Sequence, residues 1–359
     1  MTGPRPTELQ LTLAPQRRFE AIDVNRRILE AGGPGADVLR RHNRALYCSF
    51  HTTAGYLDQS LIARLRHDRD GLSRFFGTFH ELFPPGGEYR HDRMELRSEL
   101  TQAERAVEPR NADSHLTFIG AGLRNCVTYR TRPGAPVYFI DLDGTSDAVK
   151  RQRTTTVLGY DEERVVATTS VEIPVSKHPI DSVNLADARL GLLDQVNDLL
   201  AKSGLEKGRV DLVIEPSERN VGLTVNEYET LLMQHDLVDV LKDPLRFAKI
   251  KTRHMLHDPF AIPGKTLNYA KYDVVRVLNS LMEALGLDQS SFERLVAKVM
   301  AVPAQRFLRS RRVSFLAAAD AEHPAARVVR GRYQSPILVQ WQSAERQARR
   351  LHVVLVQLS

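Results

Sequence analysis

Apolar and polar positions alternate over two early stretches, Leu9 to Leu13 and Phe19 to Val24, with the period of a half-buried strand. Asn25 to Ala31 has the composition of a short helix that stops at Gly32-Gly33-Pro34. A strand over Ala45 to Phe50 runs out into His51-Thr52-Thr53-Ala54-Gly55. From Asp58, apolar residues between Leu61 and Leu82 recur near helical spacing and predict one long amphipathic helix, closed by Pro84-Pro85-Gly86-Gly87. The charged stretch Arg93 to Val107 reads as a solvated surface helix. Strands are predicted next at Leu116 to Ile119, Cys126 to Tyr129, Val137 to Leu142 and Thr154 to Leu158.

Near residue 160 the pattern starts again. Val165 to Val175 is strand-like, Leu185 to Lys202 is helical, and Arg209 to Ile214 repeats the strand that led into His51. Val221 to Glu227 stands where Ala54 to Gln59 stood, with another helix predicted through Leu231 to Leu241. A long interruption, about 244–328, carries His254 and His257 and two predicted helices, Tyr272 to Leu285 and Phe292 to Val299. The two histidines have spacing compatible with a metal-binding helix face, but Pro259 and Pro263 favour a loop. Strands at Ile337 to Trp341 and Leu351 to Val356 repeat the finish of the first half. The expected organisation is two tandem domains, 1–160 and 161–359, the second with a helical insertion.

A length of 359 residues agrees with two domains, and the 42% apolar fraction supplies a sizeable core. Fifty basic against 44 acidic residues leave +6, a mild bias toward anionic ligands. No zinc-finger or RNA-binding signature accompanies it, so nucleic acid is not the expected partner. The two cysteines, Cys48 and Cys126, lie in apolar segments and read as buried thiols in a reducing compartment. No secretory signal and no membrane-length apolar run is found, so a soluble cytoplasmic protein is expected.

These residues together resemble the YjbQ-like family, also called secondary thiamine-phosphate synthases. Its small members carry a His-Thr-Thr-Ala-Gly box followed by Ile-Asn-Glu, a Tyr-x-His-x-Glu-Gly-Asn-Ala-Asp-Ala-His box, a Gly-Thr-Trp-Gln turn and a Glu-Phe-Asp-Gly-Pro-Arg strand end. In the first half, His51 to Gly55 matches the first box, while Tyr89 and His91 open the second and Asn111, Ala112, Asp113 and His115 close it. The charged segment between splits that box, with Glu108 as a stand-in for its glutamate, and Asp58-Gln59 replaces Asn-Glu. In the second half Glu218 stands where the box histidine would be, yet Asn226-Glu227 and Gly331-Arg332-Tyr333-Gln334 are kept. Such complementary losses fit a composite site between the halves, or decay of the second half into scaffold.

The resemblance implies an α+β fold of two tandem domains, each a mainly antiparallel β-sandwich flanked by helices. It also implies a metal site at His51, His91 and His115, taking zinc, or alternatively magnesium or manganese. Asp113, Asn226 and Glu227 are the implied catalytic group, Asp113 orienting an imidazole or acting as base and Glu227 moving a proton. Thr52, Thr53, Arg151, Arg153, Gln334, Arg346 and Arg349 are the expected contacts to a small phosphorylated ligand. The expected function is a metal-dependent transferase or hydrolase of such a metabolite, with thiamine-phosphate-forming chemistry as one form. The alternative is a non-catalytic binding or assembly protein on the same fold. A homo-oligomer, with a trimer favoured, is the expected assembly.

Overall fold

The computed structural model describes residues 5–87, 89, 91–97, 100–146, 149–179, 181–227, 310–320 and 323–359. In the first half, β1 (Thr7–Leu13), β3 (Arg44–Ser49), β5 (Cys126–Arg130) and β9 (Arg153–Tyr160) form one sheet in the order β1-β9-β3-β5. A smaller sheet of β2 (Glu20–Asp23), β4 (Ala54–Gly55) and β6 (Tyr138–Asp141) has the order β2-β6-β4. A hairpin of β7 (Thr145–Ser146) and β8 (Val149–Lys150) leads into β9. Every pairing is antiparallel.

The second half follows the same plan. Its larger sheet contains β10 (Glu163–Pro174), β12 (Lys207–Ile214), β14 (Arg312–Ala318) and β17 (Ala348–Leu358) in the order β10-β17-β12-β14, with β15 (Arg327–Val329) added beside β14. Its smaller sheet is β11 (Asp181–Asn184), β13 (Val221–Asn226) and β16 (Ser335–Gln340), ordered β11-β16-β13. Taken in chain order, the four strands β1, β9, β3 and β5 and the three strands β2, β6 and β4 each have a counterpart at the same sheet position in the second half, while the β7–β8 hairpin and β15 have none. The fold is thus mixed α and β, with antiparallel sheets and few helices.

Each half buries its own core. Val24, Ile28, Tyr47, Tyr56, Phe76 and Phe139 are among the residues filling the first, and Ile173, Val196, Leu212, Phe315 and Leu355 among those filling the second. The helices α1 (Val24–Ala31), α2 (Asp37–Arg40) and α7 (Leu192–Ser203) turn one face toward these cores. A further apolar layer joins the halves: Leu46, Cys48, Cys126, Leu158 and Tyr160 meet Leu316, Val356 and Leu358. Within this layer Asn125 Nδ2 donates to the carbonyl of Ser314 at 2.8 Å.

Four expectations need correction. The long helix from Asp58 is two helices, α3 (Gln59–Arg64) and α4 (Arg69–Leu82), because Arg66 and His67 take left-handed φ values of 59° and 52°. Asp68 then caps α4 by accepting from the amides of Asp70 and Gly71, and a Cβ at Gly71 would lie 2.7 Å from the Leu65 carbonyl. Leu116 to Ile119 lies in a helix, α6 (Ala112–Ala121), that ends at Gly122 with φ 72°. Arg93 to Val107 is not one solvated helix but a 3₁₀ turn at Met94–Leu96, a fully buried Arg97 and α5 (Gln102–Val107). Residues 312–318, placed inside the insertion, are instead the sheet strand β14, paired with β12 along its length.

His254, His257 and the helices predicted around 231–241, 272–285 and 292–299 lie outside the described residues. Among the described residues, no helix is long and apolar enough to cross a membrane.

Candidate metal centre

The stretch between β4 and β5 brings α6 against β13 of the other half. The helix carries His115, and β13 ends at Asn226 with Glu227 next in line. His91 arrives from the loop after α4. Side chains of His91, His115 and Glu227 are all buried, and a potential ligand atom from each lies within 4.8 Å of the others. The two imidazole rings are 5.0 Å apart between centres.

The tautomers follow from the partners. Asn226 Oδ1 accepts the Glu227 amide at 2.8 Å, which identifies that atom as the oxygen, and it also lies 2.7 Å from His115 Nδ1. His115 must therefore carry its hydrogen on Nδ1, leaving a lone pair on Nε2. Burial, with the His91 ring adding to it, pushes the His115 pKa down to about 3, so the ring is neutral at physiological pH. Its Nε2 is buried, has no hydrogen-bond partner, and sits 3.5 Å from Glu227 Oε2. That contact is not an ion pair, because the ring is uncharged: it sets two acceptors face to face. His91 repeats the arrangement, with Nδ1 donating to Asp92 Oδ1 at 3.1 Å and Nε2 pointing the other way, 3.5 Å from Arg97 Nη1.

Two imidazole lone pairs and a carboxylate suit a borderline divalent ion such as zinc. Ligands bound at about 2.1 Å around a tetrahedral ion stand roughly 3.4 Å apart. The 3.5 Å between His115 Nε2 and Glu227 Oε2 already meets that spacing. The residues present fit such an ion, with Asn226 and Asp92 as outer partners that orient the rings.

Other expected residues lie elsewhere. His51 is outside this cluster: its Nε2 accepts the Thr154 amide at 2.9 Å, so that lone pair is already used. Asp113 orients no imidazole, since its Oδ1 accepts from Arg18 Nη2 at 2.7 Å, and Asp92 takes the orienting place. Burial raises the Asp113 pKa against the opposing pull of Arg18. Arg153 is buried and committed, forking onto Asp141 at 2.7 and 2.9 Å and reaching Thr53 Oγ1 and the Asp143 carbonyl. Arg349 is its counterpart, held by Gln340, Glu218 and the carbonyls of Arg219 and Gln342. Both guanidiniums are thus committed to protein partners. Gln334 is also committed, donating to the carbonyls of Ser49 and His51.

Thr52 reaches the site only through its carbonyl, 3.5 Å from Asn226 Nδ2. Arg151 pairs with Asp143 at 2.7 Å while remaining partly exposed. Arg346 lines a separate recess of about 450 Å³ with Glu172, Glu218 and Arg219, outside the histidine cluster.

Arg97 is the residue that sequence reasoning missed. It is fully buried, and its guanidinium lies 3.3 Å from Glu227 Oε1 and 3.4 Å from Glu108 Oε1. A charged segment gave no sign of this, although Glu108, read as the stand-in for a box glutamate, meets the same guanidinium.

Comparison with known proteins adds a limited likeness. No family model and no curated protein matches the chain. Among solved structures, the chain is similar to a YbjQ-like protein of unknown function from Sulfolobus solfataricus, at 14% identity over 55% of this chain and 99% of that one, with a TM-score of 0.30. It is also similar to an uncharacterized conserved YjbQ-family protein from Clostridium acetobutylicum, at 10% identity over 53% and 99% of the two chains, TM-score 0.24. A conserved hypothetical protein from Thermus thermophilus has 20% identity over 53% and 99%, TM-score 0.23. The two-half architecture described above rests on strand order and pairing within this chain.

Proposed function

We propose that the protein is a metal-dependent enzyme acting on a small phosphorylated metabolite, with His91, His115 and Glu227 holding a divalent ion, zinc in first place. The observation that supports this reading is the buried, partnerless Nε2 of His115 aimed at the Glu227 carboxylate. Two buried acceptors facing one another with no donor between them are costly, and a cation between them removes the cost. The bound ion would polarise a phosphoryl or leaving-group oxygen. Glu227 belongs to the other half of the chain, so the proposed site is composite and the second half is more than scaffold. A transfer that releases pyrophosphate, such as thiamine-phosphate formation, is one member of this reaction class.

A second reading is a metal-free binding protein, favoured by the Arg97 guanidinium beside the same carboxylate. Metal analysis of the purified protein decides between them. We expect about one divalent ion per chain, lost in His115→Ala and weakened roughly 10- to 100-fold in Asn226→Leu, which removes the acceptor that fixes the ring. Absence of any stoichiometric ion from the folded wild type, even after incubation with zinc, sinks the metal reading.

A further inference from the structure

The two cysteines are neighbours across a strand pair. Cys48 on β3 stands directly opposite Cys126 on β5. In the next pair along, the Ser49 amide donates to the Asn125 carbonyl at 2.7 Å. Hydrogen-bonded and non-hydrogen-bonded pairs alternate along an antiparallel ladder, so the cysteines hold a non-hydrogen-bonded position, where Cα atoms approach to about 4.5 Å. A disulfide accepts Cα separations of about 4.4–6.8 Å. The two Sγ atoms are already 3.1 Å apart, and closing to a bond of about 2.05 Å asks for roughly 1 Å of movement.

Both thiols are buried in the apolar layer between the halves, among Leu46 and Leu158 of the first and Leu316 and Val356 of the second. Burial, with the neighbouring Cys126 thiol adding to it, pushes the Cys48 pKa up, which keeps that thiol in its unreactive protonated form while the layer is closed. Separation of the halves wets the layer and exposes the pair. We propose that Cys48 and Cys126 form a disulfide site gated by the contact between the halves: protected when the layer is closed, oxidised by a small disulfide such as oxidised glutathione when it opens. One protein thiolate attacks the small disulfide, leaving a mixed disulfide and releasing one small thiol. The second protein thiolate attacks the protein sulfur of that mixed disulfide and releases the other small thiol. The protein dithiol is oxidised by two electrons, and the small disulfide is reduced to two thiols.

The new bond spans 78 positions of sequence. It ties together both ends of the segment that carries His51, α4, His91, Arg97 and His115. Oxidation therefore restrains that segment in the unfolded chain and stabilises the folded one. The inference stands apart from the metal reading.

The test incubates reduced full-length protein with oxidised glutathione at urea concentrations below the unfolding midpoint, quenches with iodoacetamide and reads the mass. The wild type should lose the mass of two hydrogens, keep no glutathione, and give a linked Cys48–Cys126 peptide on non-reducing digestion. The rate should climb with urea, and Leu316→Ala, which hollows the layer, should raise it about tenfold or more without urea. Oxidised protein should unfold at higher urea than reduced protein, and dithiothreitol should abolish the difference. In Cys126→Ala no second thiol resolves the mixed disulfide, so Cys48 should keep one glutathione.

Glutathione retained on the wild-type cysteines, or disulfides linking separate chains, overturns the pairing, as do thiols that stay reduced at every urea concentration. A rate indifferent to urea and to Leu316→Ala overturns the gate. If Leu316→Ala does not fold, the urea series of the wild type decides.

Discussion

His51 and Glu218 occupy matching places in the two halves and do the same work. His51 Nε2 accepts the amide of Thr154, and Glu218 Oε1 accepts the amide of Arg350 at 3.0 Å. A job that a carboxylate does equally well needs an acceptor, not an imidazole. The imidazole has its own consequence, however, for pH. Burial, aided by Arg153 and Arg151, pushes the His51 pKa from 6.5 down to about 3. The unfolded chain therefore binds the extra proton between these values, and folding stability falls as pH drops from about 6.5 toward 3. His51→Gln keeps an acceptor and removes the proton sink. Urea denaturation at a series of pH values should show a shallower acid loss in this variant, by roughly 3 kcal/mol at the low end. An unchanged pH slope counts against it. The box His51 to Gly55 was legible as a motif, but its part in the fold was not, because a motif carries no information about which backbone amide folds onto it. His91, His115, Asn226 and Glu227 were legible for a different reason: they stand in separate stretches that keep their box residues. Arg97 was not, since a buried arginine among charged neighbours has the same local pattern as a solvated one.

At the scale of elements, the strands were legible because most alternate or run apolar between turn residues, and a two-residue period survives whatever packs above it. Helix α6 was not. Eight of its residues from Ala112 to Ala121 are buried, so it has no solvent face to imprint a period, and its short apolar run reads equally well as a strand. The turn from Gly331 to Gln334 matters in another way. Its glutamine amide bridges the carbonyls of Ser49 and His51, and its glycine lies so close to the end of β3 that a Cβ there would stand 1.9 Å from the Phe50 carbonyl. The second half thereby clamps the loop that carries the His51 box. Gly331→Ala should cost about 2–4 kcal/mol, because backbone must move, and Gln334→Ala about 1–3 kcal/mol through two buried carbonyls left unpaired. As both changes undo one contact, the double variant should lose less than the sum. Strict additivity in urea denaturation would show that the glycine and the glutamine act separately.

For the whole molecule, the restart of the pattern near residue 160 made two similar halves legible, and the structure gives them one strand order. How the halves meet was hidden, since the residues involved look like ordinary strand interiors. Arg209 on β12 is the clearest case. It is buried, pairs with Asp211 at 2.9 Å and Glu163 at 3.2 Å in its own half, and reaches Thr128 Oγ1 of the first half at 3.0 Å. Asp211 in turn accepts from Ser314, whose carbonyl receives Asn125 across the same layer. Removing the guanidinium leaves the buried Asp211 carboxylate with only the more distant Arg312, 3.8 Å away, and breaking a buried pair in this way typically costs about 3–5 kcal/mol. The chain supplies its own probes for the consequence. Its single tryptophan, Trp341, belongs to the second half, and its only two cysteines, Cys48 and Cys126, are free, buried and face the shared layer from the first. Because the layer and the His115–Asn226 contact tie both cores together, tryptophan fluorescence and thiol exposure should follow one urea midpoint in the wild type. In Arg209→Leu both midpoints should fall together, because Trp341 packs against Ile119 of the first half and so senses separation of the halves as the thiols do. Separate midpoints already present in the wild type would mean that the halves fold as independent domains and that the site between them is assembled only after each is complete.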